Sequence, residues 1–425
     1  MTGSGRLKGS REPGGIRYLG VPYAQPPVED LRWRDPRPVE VWSGVREATR
    51  FAPACPQVGV SMPGEPESPT NEDCLYLNVW APDARSDGQS YPVIVWIPGG
   101  GLTNGSTSIP LYDGAALARQ GVVVVTVAYR LGVLGFLAHP GLTAENETGG
   151  SGNYGLMDQV AALKWVRDNI GTFGGDPDRV TVAGQSAGAT SVSILMASPR
   201  AKGLFQRAIG QSGGLFEPLA LAPRYVLENA EVDGAAYGDA LGARTLAELR
   251  ALPVERLLGD SRADVVVHPV IEPRLLPEPP YDVFSAGRHN DVPLLVGFNA
   301  EEALSLTDVS DVTAQGFHEQ LGARWGTLPP ALLEPYASSS PMQRLERPGP
   351  TSSAICGSAG TSVPGRASRP LTANRRCTPT TSPGVRPMPK VRSSRPGAPV
   401  TLPSSGTCSI ISTSSIGPGP RPTAG

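Results

Sequence analysis

Histidine is scarce in this sequence: four in 425 residues, at positions 139, 268, 289 and 318. Chemistry that needs an imidazole to accept a proton has only these four to draw on. Cysteine is nearly as rare, and Cys356, Cys377 and Cys408 show no metal-ligand spacing. No run approaches the roughly 18 consecutive apolar residues of a membrane-spanning helix. The opening "MTGSGRLKGSREPGG" has no apolar segment, which excludes a secretory signal at this start. The expected location is therefore cytoplasmic, and export would need a start further upstream. In that compartment the sequons at Asn104 and Asn146 are chance, and Cys55 and Cys74, 19 residues apart, are expected to be free thiols.

Two further absences divide the chain. From Arg347 to Gly425 there is no Asp, Glu, Phe, Tyr or Trp, but there are nine Arg and one Lys. Of 37 basic and 39 acidic residues in all, 27 and 39 therefore precede Arg347. The two parts carry −12 and +10, and the overall −2 describes neither. Residues 346–425, rich in Pro, Ser, Arg and Gly, cannot bury enough apolar surface to offset chain entropy. They read either as a disordered basic tail or, preferred here because the change is abrupt, as a GC-rich gene translated out of frame. A basic arm for nucleic acid is a weaker reading, since no aromatic is there to stack on bases. No nucleic-acid partner is expected.

Residues 1–345 have the pattern of an α/β domain. "YPVIVWIP" (91–98) and "GVVVVTVAYR" (121–130) are short β-branched runs bounded by turn residues, as in the buried strands of a mostly parallel sheet. Between them "LYDGAALARQG" predicts a short helix ending at Gly121. Leu156, Val160, Leu163, Val166 and Ile170 recur at helical spacing, predicting a helix over roughly 155–170. "RVTVAGQ" (179–185) and "DVPLLVGFN" (291–299) predict further strands. The alternation implies a sheet covered by helices.

Two motifs carry chemistry. In "VTVAGQSAGA" (180–189), Ser186 stands in a Gly-x-Ser-x-Gly frame between a strand and a helix. That context turns a common pentapeptide into a candidate nucleophile elbow. "WIPGGGLTNG" (96–105) follows a strand, and its bare glycines can present backbone N–H groups to a developing oxyanion.

With these motifs the chain resembles the type-B carboxylesterases, the family that includes cholinesterases and bacterial aryl-ester hydrolases. "YLGVPYAQPPVEDLRW" (18–33), "EDCLYLNVWAP" (72–82), "FGGDPDRVTVAGQSAG" (173–188) and "VPLLVGFNAEEA" (292–303) match family segments in order. The resemblance spans roughly residues 15–340. It implies the α/β-hydrolase fold, no cofactor or metal, and Ser186 as nucleophile. The oxyanion hole would be the N–H groups of Gly100, Gly101 and Ala187, and Glu302 the triad acid. Glu301 is the neighbouring alternative, and Ala303 stands where the family has glycine. Arg32 with Glu72 and Arg130 with Asp158 match the family's buried ion pairs. Cys55 and Cys74 match its first disulfide, and are expected to be close in space but reduced.

Departures narrow the substrate. No Trp lies between Cys55 and Cys74, Leu102 replaces a frequent aromatic, and Gln185 replaces a frequent glutamate. Small or medium neutral esters are implied rather than choline esters. The family's chain order is Ser, acid, His. His139, His268 and His289 precede Glu302, although family analogy puts His268 near the gorge. His318, in "DVTAQGFHEQLGARWG", reads as an exposed helix residue. No triad histidine is found, and the family's would fall where the tail now stands. The chain is thus expected to be a weak or inactive serine esterase with an exposed apolar sheet edge and poor stability. A non-catalytic adhesion-type member of the fold is the alternative, disfavoured by the intact Ser186, Glu302 and triple glycine.

Overall fold

The β-branched runs of the sequence become the centre of a sheet with nine strands among the described residues. The computed structural model describes residues 2–58, 69–83 and 88–300, with Glu302, Gly316, Glu319 and Ile411–Ser412. The strands are β1 (Arg6–Lys8), β2 (Ser10–Glu12), β3 (Gly15–Pro22), β4 (Val45–Glu47), β5 (Tyr76–Pro82) and β6 (Tyr91–Ile97). They continue with β7 (Val123–Val127), β8 (Gly175–Gln185), β9 (Arg207–Gln211), β10 (Leu294–Gly297) and β11 (Ile411–Ser412). The sheet order is β11-β10-β9-β8-β6-β7-β5-β3-β2, and β1 pairs with β4 separately. From β7 through β10 the pairings are parallel, whereas β5, β3 and β2 add antiparallel strands on one side. The chain has the α/β-hydrolase fold: a sheet parallel through its centre and covered by helices.

Val93, Val95, Val123, Val125, Val180 and Val182 are buried in one continuous core. Over them lies the helix Tyr154–Asn169, and all four apolar positions within it that set the predicted period are buried. This helix is not simply amphipathic, because Asp158 and Gln159 are buried as well. Asp158 accepts from Arg130, and Gln159 Nε2 donates to the Ser191 hydroxyl at 3.1 Å, while its Oε1 has no partner among the described residues.

Several expectations are adjusted. The second run is strand only over Val123–Val127, because Tyr129 turns to donate to the Pro98 carbonyl at 2.8 Å and Arg130 turns to Asp158. The helix before it shrinks to one turn, Ala115–Ala118, preceded by a 3₁₀ turn at Pro110–Tyr112. Gly121 has φ 82°, a left-handed stop. β10 is half-buried, and its outer side is not bare: Leu295 and Val296 pair antiparallel with Ser412 and Ile411. Unpaired edge amides accept any extended segment that reaches them. Otherwise the tail 346–425 and His318 lie outside the described residues; Gly316 and Glu319, on either side of His318, are helical. Among the described residues no helix is long and apolar enough to cross a membrane.

The expectation of reduced thiols is corrected. Cys55 and Cys74 are bridged, with Cα atoms 5.0 Å apart, and both residues are buried. The fold brings the two side chains within bonding distance in an interior site, which sequence distance alone could not show.

Candidate active site

β8 ends at Gln185, and the helix Ala187–Ala197 begins two residues later, so Ser186 alone makes the turn. Its backbone sits at φ 54°, ψ −123°. A serine held there carries strain of about 1–3 kcal/mol, which surrounding contacts must sustain. The Ser186 N–H donates to the Gln211 carbonyl at 2.8 Å, and its own carbonyl accepts from Thr190 at 2.9 Å. Two glycines make the turn possible. A Cβ on Gly184 would lie 2.4 Å from the Gly188 backbone, and one on Gly188 would lie 2.1 Å from the Ile97 carbonyl oxygen. The flanking glycines of the motif are therefore required by close approach of helix to strands.

The glycine loop leaves the end of β6 and packs beside the serine. A Cβ on Gly99 would come within 3.2 Å of the Ser186 Cβ. Gly100 and Gly101 have φ 113° and 63°, and Leu102 follows at 66°. The Gly100 carbonyl accepts from Thr103 and Asn104, both at 3.0 Å, closing a tight turn. The N–H groups of Gly100, Gly101 and Ala187 donate to no acceptor among the described residues. Ala187 opens a helix, where the first-turn amides lack partners within the helix. A small cavity of about 10 Å³ backs the loop against Cys55. A larger one, about 360 Å³, lies between residues 35–39 and the helix Tyr154–Asn169. Neither Ser186 nor the glycines line it, so its size says nothing about this site.

Glu302 stands in the loop after β10, partly exposed, with Oε2 accepting the Asn299 N–H at 3.2 Å. Adjacency of β8, β9 and β10 sets that loop at the same sheet end as Ser186, and the Ser212 N–H donates to the Gly297 carbonyl at 2.8 Å. Glu301 and Ala303 lie outside the described residues.

No histidine contacts Ser186 among the described residues. His139 caps the helix Pro140–Glu145, its Nδ1 accepting from Gly141 at 3.0 Å. His268 is buried beside Tyr225 with Nδ1 3.0 Å from the Pro269 carbonyl oxygen. His289 stacks on Phe284 at 4.5 Å. Burial lowers the pKa of all three from the ordinary histidine value.

The expected ion pairs form. Arg32 donates twice to Glu72, at 2.7 and 2.6 Å, and caps the carbonyls of Arg250 and Leu252. Arg130 donates to Asp158 through Nε, Nη2 and its backbone N–H. Sequence reasoning missed a third buried unit, in which Arg274 bridges Glu272 and Asp35 while Glu272 also accepts from Asn153. Asp35 and Asn153 lie far from the Glu272–Arg274 pair in the chain, and the set matches no short motif. It also passed over Gln57, whose signal was its place two residues after Cys55.

Comparison with known proteins bears on what this arrangement is. The model of the "Carboxylesterase family" matches residues 1–323. The chain is 44% identical over 299 residues to fumonisin B1 esterase of Sphingopyxis macrogoltabida, covering 68% of this chain and 54% of that protein. It is 42% identical over 332 residues to para-nitrobenzyl esterase of Bacillus subtilis, covering 74% and 65%. The chain thus spans little more than half to about two thirds of the length of these relatives. Among solved structures, a thermophilic para-nitrobenzyl esterase matches with TM-score 0.70 at 37% identity, covering 81% of this chain and 72% of that one. A Geobacillus stearothermophilus carboxylesterase matches with TM-score 0.69 at 37% identity, covering 83% and 71%.

Proposed function

The chain belongs to the carboxylesterase family, and on that premise we propose that it is a serine hydrolase of carboxylic esters acting through an acyl-enzyme. Ser186 is the nucleophile in this reading, and Gly100, Gly101 and Ala187 supply the oxyanion N–H groups. Glu302 is the triad acid. The observation that carries the reading is the strained backbone of Ser186 at a strand-to-helix turn, with the glycine loop against it. An ester carbonyl attacked by the Ser186 oxygen develops negative charge on its own oxygen. Fixed backbone dipoles stabilise that charge without reorganising, which is worth about 2.7–4 kcal/mol per donor in a closed site.

The substrate in this reading is a neutral ester of small or medium size, because Leu102 and Gln185 replace aromatic and acidic side chains. The family histidine belongs after Glu302, beyond which the sequence loses its aromatics and acids at Arg347. Our reading is that residues 346–425 are an out-of-frame translation and that this chain hydrolyses esters weakly. Loss of the triad base costs on the order of 10⁶-fold, leaving roughly 10³–10⁴-fold over water from the oxyanion hole and binding.

A fluorophosphonate probe tests the nucleophile. Peptide mapping should find the adduct on Ser186 and none in Ser186→Ala; an adduct elsewhere, or an unchanged one, overturns it. Translating the gene downstream of codon 335 in all frames tests the tail. Another frame should give aromatic-rich strands and a histidine after a strand, and its absence from every frame overturns that part.

A further inference from the structure

The glycine loop is flexible by composition, yet its donors must be fixed to within a fraction of an ångström to stabilise an oxyanion. Something outside the loop must hold it. Among the described residues, one side chain from elsewhere in the chain bonds to the backbone of Gly99–Gly105, and it is Gln57. Its Oε1 accepts the Gly105 N–H at 2.8 Å, and its Nε2 donates to the Gly105 carbonyl at 3.1 Å. The same Nε2 donates to the Cys55 carbonyl at 3.0 Å. Cys55 is buried and bonded to Cys74, so the amide is tied to a covalently fixed point.

Gly105 is one fixed point of the loop; the Leu102 carbonyl, which accepts the Gly132 N–H at 2.8 Å, is another. Gly105 has φ 125°, and a Cβ there would lie 2.6 Å from the Gly99 carbonyl oxygen, so the loop's two ends touch. Between those ends, Thr103 and Asn104 donate back to Gly100. The space behind the loop, about 10 Å³, admits about one water.

We propose that Gln57 is the positioning residue of the oxyanion loop, clamping Gly105 against the Cys55–Cys74 bridge so that Gly100 and Gly101 present their N–H groups beside Ser186. This rests on the reading of those glycines as the oxyanion donors. A primary amide suits the task because it offers an acceptor and a donor side by side to one peptide unit. A carboxylate in its place keeps the acceptor but turns a second oxygen toward two carbonyls. A methionine keeps the length and loses both bonds.

The test uses the full chain with Gln57→Met and Gln57→Glu, Ser186→Ala as reference, and 4-nitrophenyl acetate as probe. Removing a whole oxyanion donor lowers kcat about 10²–10³-fold, and displacing the loop should remove part of that, about tenfold. The expected result is a kcat lowered about tenfold in both Gln57 variants with KM within twofold. Deuterium exchange at Thr103 and Asn104, whose N–H groups donate to Gly100 and not to Gln57, should quicken as well. An unchanged kcat in both variants, with the fluorophosphonate adduct lost in Ser186→Ala, overturns the positioning role and leaves the serine reading intact. A fluorophosphonate adduct that survives Ser186→Ala overturns the serine reading instead. The exchange arm needs no turnover: unaltered protection of Thr103 and Asn104 overturns the clamp by itself.

Discussion

Gly188 lies so close to Ile97 that a Cβ on the glycine would stand 2.1 Å from the Ile97 carbonyl oxygen. This contact joins the helix that begins after Ser186 to the strand that feeds the glycine loop. It fixes nucleophile and loop relative to one another through backbone alone. Gly188→Ala should force helix and strand apart, costing about 1–3 kcal/mol. Urea unfolding measures that cost, and Ser186-dependent hydrolysis should fall in the same variant.

Arg130 and Asp158 are both buried, with side-chain exposures of 3% and 0%. Asp158 accepts three hydrogen bonds from Arg130, and Arg130 Nη1 has no hydrogen-bond partner among the described residues. Asp158→Asn should therefore leave an uncompensated buried cation and destabilise the chain by about 3–5 kcal/mol. The denaturation midpoint checks this, and a change below about 1 kcal/mol would contradict it.

The Cys55–Cys74 bridge makes a countable prediction. Of five cysteines, three should react with a thiol reagent in denaturant without reductant, and all five after reduction. Replacing both bridged cysteines by serine should lower stability by about 2–4 kcal/mol.

Acid should weaken the fold through buried imidazoles. Burial is the largest influence on His268 and lowers its pKa below 6.5; Arg224 adds to this, while Asp233 and the Pro269 carbonyl oppose it. A histidine with a depressed folded pKa binds its proton more readily when unfolded. Its contribution to stability is therefore lost as pH falls through 6.5 toward the folded value. Unfolding midpoints should drop between pH 7.5 and pH 5.5, and His268→Asn should make that drop shallower.

The sheet, the long helix and the elbow were legible because each rests on local signals: β-branched runs, a 3.6-residue period and a glycine frame around one serine. The loop's role was legible only through its place after a strand. The disulfide was not, because compartment argued one way and three-dimensional proximity decided the other. Gln57, Asp35 and Arg274 were illegible for a related reason. Their partners are Gly105, Arg274 and Gly152, pairs that no periodicity links and only the folded chain brings together.

In the proposed reading, Ser186 has a prepared oxyanion site and no imidazole to take its proton. The most direct measurement is the pH–rate profile of Ser186-dependent hydrolysis of 4-nitrophenyl acetate by this chain between pH 6 and 9. Without a histidine base, the logarithm of the rate should climb with a slope of about one and reach no plateau, as hydroxide does the work. A plateau above pH 7 with an inflection near the histidine range, abolished by replacing one histidine, would contradict the account and identify the missing base.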